Sequence, residues 1–108
     1  MDIQLINPLK QQFETLKVEI SARQKSVKEL VTLHSQAESY FQTQILQAEP
    51  QDAALSYFVE INKQLKLLGV DLTMLQAARN PDTIEQRQKQ AIGRLDLLIG
   101  YCEALLQN

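Results

Sequence analysis

The sequence predicts an all-α protein: an antiparallel bundle of three long helices, or four if the first segment breaks near residues 22–26. Three observations carry this. Apolar residues recur at steps of three and four along nearly the whole chain, which is the period of one helix face. The alternating pattern of a strand and the Asn-Gly or Asp-Gly signal of a hairpin are both missing. The three prolines stand at Asn7-Pro8, Glu49-Pro50 and Asn80-Pro81, each where a helix can begin. Proline suits the first helical position because its missing N–H has no intrahelical partner there. The prolines divide the chain into segments of about 8–48, 51–79 and 82–107, within one helical domain of residues 1–108.

The first segment is long. Leu9, Phe13, Leu16 and Ile20, then Val27, Leu30, His34, Ala37 and Phe41, keep the helical spacing. Arg23 falls where an apolar residue is due, and Ser26 with Glu29 three residues later matches a capping box. Neither glycine nor proline forces a break, so the favoured expectation is one long or gently kinked helix of about 60 Å. Such a helix outreaches the other two, each about 40 Å long, and its overhang needs cover.

The second segment is unusual because it is apolar on two sides. Phe58, Ile61, Leu65, Leu68, Leu72 and Leu75 form one stripe; Val59, Leu67, Val70, Met74 and Ala77 gather opposite. A surface helix ordinarily has one apolar stripe and a polar back. Leu65, Leu68 and Leu72 are assigned to the core, and Leu67, Val70 and Met74 to a surface for self-association or a partner. The tyrosine–phenylalanine pairs Tyr40-Phe41 and Tyr57-Phe58 flank the turn at Pro50 and are expected to pack across it.

The third segment opens with Asn80 as a cap, Pro81 at the first position and Asp82 and Glu85 complementing the helix dipole. Its stripe is Ile84, Ala91, Leu95, Leu98, Ile99, Cys102, Leu105 and Leu106. Gly93 and Gly100 lie seven apart on its other face, beside Leu97. Glycine inside a helix costs about 1 kcal/mol relative to alanine. Close approach of another backbone or a bulky ring is the expected compensation at all three glycines, Gly69 included, with local tolerance of the cost as the alternative; Gly93, Leu97 and Gly100 join the candidate surface.

Composition narrows the function. The chain has 108 residues, a net charge of −2 and 44% hydrophobic residues, a globular balance without the basic excess that draws a domain to nucleic acid. Fifteen glutamines supply polar helix faces without charge. Apolar runs are far short of a membrane span, and MDIQLINPLK lacks the basic start and apolar run of a signal peptide. The single cysteine, Cys102, permits no internal disulfide and fits a reducing cytoplasm.

Catalytic chemistry is not evident. His34 is the only histidine and Cys102 the only cysteine, too few strong ligands for a zinc site. His34 reads as a helix-contact residue, and Cys102 as a small hydrophobe without a neighbouring base. Asp71 and Asp96 are one of several acid pairs that a bundle brings together, with nothing to set them apart. Phosphate-binding glycine loops are missing. Arg23, Lys25 and Lys28, and then Arg79, Arg87, Lys89 and Arg94, alternate with acids, the pattern of a solvated, salt-bridged face. The expectation is therefore a non-enzymatic, dimeric interaction module with no metal and no cofactor; the alternatives are a dimeric helical adaptor for another protein partner and, ranked below it, nucleic-acid binding through the bases of residues 79–94.

Three stretches, Glu60-Ile61-Asn62-Lys63-Gln64-Leu65, Leu75-Gln76-Ala77-Ala78-Arg79 and Leu98-Ile99-Gly100-Tyr101-Cys102-Glu103, together with Tyr40-Phe41-Gln42-Thr43-Gln44-Ile45, resemble the small cyanobacterial heterocyst-frequency control proteins of the PatD type. The resemblance covers about half the chain and consists of helix-packing patterns. It implies a regulator of cell differentiation that modulates filaments of the tubulin-like cell-division protein. It assigns no binding residues.

Overall fold

The computed structural model describes residues 2–47 and 52–107. Among them are four α-helices and no strand: α1 (Ile6–Ala22), α2 (Val27–Tyr40), α3 (Asp52–Ala77) and α4 (Pro81–Leu106). A 3-10 turn, Ile3–Leu5, leads into α1, and a π-helical turn, Phe41–Ile45, prolongs α2. The Cα trace measures 45 × 19 × 19 Å.

The long first helix is not formed. Arg23 ends α1 in the left-handed region with φ 57°, and Ser26 restarts the chain as an extended N-cap whose Oγ accepts from the Glu29 N–H at 3.2 Å. The chain folds back on itself here, so the described residues form four α-helices and the first segment does not overhang the others. Packing explains why the break occurs without glycine or proline. A straight helix would carry half of the Leu9–Phe41 stripe past the ends of its partners. Each large apolar side chain left in water forfeits about 1.5–3 kcal/mol. One non-glycine residue in the left-handed region costs about 1–2 kcal/mol. Folding back lets Leu9, Phe13, Leu16 and Ile20 of α1 and Leu30 and Ala37 of α2 enter one core.

The start of α1 also differs from expectation. Asp2 accepts from the Gln4 N–H at 2.9 Å and launches the 3-10 turn, so Asn7 lies inside the helix and donates to Gln4 Oε1 at 2.7 Å. Pro8 is tolerated because it stays in the first turn, where its N–H would find no helical acceptor. The start of α4 follows the sequence pattern: Asn80 Oδ1 accepts from the Asp82 N–H at 2.8 Å, with Pro81 first in the helix. The turn at Pro50 lies outside the described residues.

Each helix packs on two neighbours: α1 on α2 and α4, and α3 on the same two. Paired contacts fix the directions. His34 and Phe41 of the second arm meet Leu65 and Phe58 of α3, so these helices run oppositely. Tyr57 and Asp71 of α3 meet Tyr101 and Arg94 of α4, again in opposite order. The expected aromatic packing beside Pro50 is present: the Phe41 and Phe58 rings meet edge to face at 6.3 Å. Tyr40 donates to the Leu5 carbonyl, tying the end of α2 to the start of α1, and burial raises its pKa. Leu65, Leu68 and Leu72 are fully buried, as the inner stripe of α3 requires.

If Arg23 bears left-handed strain, Arg23→Gly should raise unfolding stability by about 1 kcal/mol, whereas β-branched Arg23→Val should lower it. Urea denaturation reads both. Equal midpoints for all three proteins would show that the break costs nothing.

Candidate interaction surface

Two polar contacts inside the bundle hold α3 in place, and they determine which of its residues face outward. The first joins α2 to α3. His34 is buried, and its Nε2–H donates to the Leu65 carbonyl at 2.7 Å, the tautomer being assigned because a carbonyl only accepts. The imidazole lies against Gly69, where a Cβ would stand 3.1 Å from His34 Cε1. The helix-contact role expected for His34 is therefore what the fold gives it.

The second contact joins α3 to α4. The Arg94 Nε–H donates to Asp71 Oδ2, and its Nη1–H donates to Gln64 Oε1 at 3.2 Å. Asp71 and Gln64 are buried, so the guanidinium is the group that balances a carboxylate inside the protein. Asp71 and Asp96 do not act as a pair, because Asp96 instead binds Lys17 of α1 at 2.6 Å.

The remaining bases near the α3–α4 turn are also occupied within the chain. Arg79 donates to the Gln76 and Ala78 carbonyls, Arg87 to Gln90 Oε1, and Lys89 pairs with Glu85. Lys25 pairs with Glu19 and Glu29. Cys102 is fully buried, and burial pushes its thiol up to about 12, so the thiolate needed for nucleophilic chemistry does not form near neutral pH. Among the described residues, no cluster of three His, Cys, Asp or Glu side chains is placed to hold a metal ion, and no helix is long and apolar enough to cross a membrane.

With the inner stripe buried, the outer stripe of α3 is left in water. Val59 is 58% exposed, Val70 52% and Met74 44%. Leu67 is half-buried: it shares a face with Gln64 and Asp71, so it leans toward the seam with α4. Leu97, 47% exposed, lies one turn beyond Arg94 on the far side of that seam. Gly93 and Gly100 are exposed on the same side of α4 as Leu97. The candidate residues thus share the outer surface of α3 and α4.

Among the described residues, nothing beyond the surrounding turn of α4 lies within 4 Å of a would-be Cβ at Gly93 or Gly100, so neither makes a close contact with another helix of the chain. At Gly69 the expected close approach is present, and the group that comes near is the His34 ring. Val18, 61% exposed on α1, is a further apolar residue facing outward that the helical stripe of the sequence did not single out. Its signal was available: it stands off the Leu9–Phe13–Leu16–Ile20 stripe, so an inward-facing α1 leaves it outside.

These features define an all-α protein with a sealed core, polar contacts setting its helix register, and an apolar outer face. Residues 37–96 match the family model of the CRR41 C-terminal domain, and the chain belongs to that family. The match begins within α2, spans α3 and reaches past Arg94, so it includes the Gln64–Asp71–Arg94 contact and the outer stripe of α3. Neither the curated proteins nor the solved structures contain a match.

The three glycines should respond differently to alanine. Gly93→Ala and Gly100→Ala should each raise stability by about 0.5–1 kcal/mol, the ordinary helix gain. Gly69→Ala should lower it, because the His34 ring is held by its hydrogen bond and cannot retreat. Thermal unfolding of the three variants checks this, and a stabilised Gly69→Ala protein would show that the imidazole can move.

Proposed function

We propose that the chain is a non-enzymatic protein-interaction module that self-associates through the outer face of α3 and α4, in its simplest form as a homodimer. The observation that carries this reading is the exposure of Val59, Val70, Met74 and Leu97 on one side of a helix pair whose inner side is already packed. An exposed apolar patch of this kind on a small protein marks a contact surface. The two-sided character of α3 supports the reading. The over-long first helix no longer does, since the break at Arg23 removes it. Open space over Gly93 and Gly100 leaves room for a second chain to approach α4 closely.

Val70→Glu and Met74→Glu place a charge in this face without touching the core. Both should sediment as 12.3 kDa monomers with unchanged helical circular dichroism, while the parent protein has a larger mass that falls on dilution. A parent protein that stays monomeric at tens of micromolar contradicts the reading.

Regulation of cell differentiation through the tubulin-like division protein rests on the PatD resemblance alone; the family match carries no statement about it. That resemblance selects the first partner to test. Co-sedimentation with purified filaments of the division protein, weakened by Met74→Glu, is the expected result. Absence from the pellet and unchanged filament bundling would remove this partner.

A further inference from the structure

The outer face of α3 is both apolar and basic. Lys63 and Lys66 lie exposed between Val59 and Val70, and neither makes an ion pair among the described residues. On the other side of the molecule, α1 and α4 enclose a groove lined by Val18, Ala22 and Ile99 and bordered by Glu14 and Glu103. Glu103 has no ion-pair partner among the described residues, and Glu14 has only Lys10 at 3.7 Å. Within that groove the remaining charges, Lys17 and Asp96, neutralise each other.

We infer that the outer face of α3 docks in the α1–α4 groove of a second copy, so that association is head to tail. The inference rests on the self-association proposed above and adds the acceptor surface. Its basis is a match of spacing as well as charge. On α3, Lys66, Val70 and Met74 follow one another at steps of four. On α1, Glu14, Val18 and Ala22 do the same. Four residues rise about 6 Å, close to one helical turn, so each series presents a charge and then two apolar positions along one side of its helix. On α4, Glu103 lies one turn after Ile99. Because α1 and α4 run in opposite directions, Glu14 and Glu103 stand at the same end of the apolar floor.

A second α3 lying parallel to α1 therefore sets Lys66 between the two glutamates, Val70 on Val18 and Ile99, and Met74 over Ala22. The reverse orientation would place Met74 beside the glutamates and Lys66 on apolar groups. Direction thus follows from charge complementarity, which fixes register more than it adds affinity. Within one chain α1 and α3 run the same way, so the two copies keep a common long-axis direction. The contact is heterologous: each added copy leaves one face and one groove free, and association can continue past the dimer.

A charge-swap experiment tests this. Lys63→Glu/Lys66→Glu makes the face acidic, and Glu14→Lys/Glu103→Lys makes the groove basic. All four side chains are exposed, and circular dichroism verifies folding. Each double variant alone should sediment at 12.3 kDa, and an equimolar mixture should recover the concentration-dependent mass of the parent. The neutral pair Glu14→Gln/Glu103→Gln should weaken association several-fold and flatten its dependence on salt, as expected when screened ion pairs are removed. If Val70→Glu abolishes association while Glu14→Lys/Glu103→Lys leaves it intact, the face is confirmed and the groove is not its partner. A mixture that stays monomeric overturns the inference, as does a parent protein that stops at a dimer. A parent protein that is monomeric throughout overturns the underlying reading as well.

Discussion

The left-handed residue at Arg23 is the constraint on which the rest of the structure depends. It turns the first forty residues into two arms whose apolar stripes face one core. Without it, α2 would project beyond the other helices and His34 would not reach Leu65. With it, α3 is enclosed by α2 on one side and α4 on the other, and only one of its two apolar stripes can be buried. The exposure of Val59, Val70 and Met74 thus follows from a backbone event at Arg23, well upstream of all three.

Register inside the bundle is then set by two polar contacts of different kinds. His34 gives its N–H to a helix carbonyl that already serves the backbone, and Gly69 makes room for the ring. Arg94 reaches across to Asp71 and Gln64, where a buried carboxylate must be balanced. Removing Arg94 would leave the Asp71 carboxylate buried without a balancing charge, the destabilising outcome for such a contact. Both contacts grip α3 from the inside. They hold Leu67 toward the α4 seam and turn Val70 outward, linking internal chemistry to what the surface presents.

Much of this was legible in the sequence. Helical periodicity gave the helices and the buried sets Leu9–Ile20, Phe58–Leu75 and Ala91–Leu105, because burial and the 3.6-residue period leave the same imprint. The Asn80 cap and the aromatic pairs beside Pro50 were readable for similar local reasons. The break at Arg23 was signalled by an arginine in an apolar register and by Ser26 with Glu29, but its decision lay in tertiary burial, which local propensity does not encode. Of the candidate surface, Val70, Met74 and Leu97 are where an outer stripe should be. Gly69 admits a ring, as its missing Cβ allowed, while Gly93 and Gly100 face open space; the sequence could not separate the two cases, because a missing Cβ looks the same whether a ring, a backbone or water lies beyond it. The Arg94 bridge was hidden among the other bases, since nothing in their order distinguishes a guanidinium paired with a buried carboxylate from a solvated one.

The apolar residues of α3 fall into an inner set buried in the bundle and an outer set left exposed, which is the set proposed to meet a second chain. Methyl-resolved NMR of the parent protein over a dilution series tests that division most directly. The account predicts concentration-dependent shifts at Val59, Val70 and Met74, accompanied by Val18 and Ile99, while Leu65, Leu68 and Leu72 stay fixed. Spectra that do not change with concentration, or changes centred on the inner leucines, would contradict it.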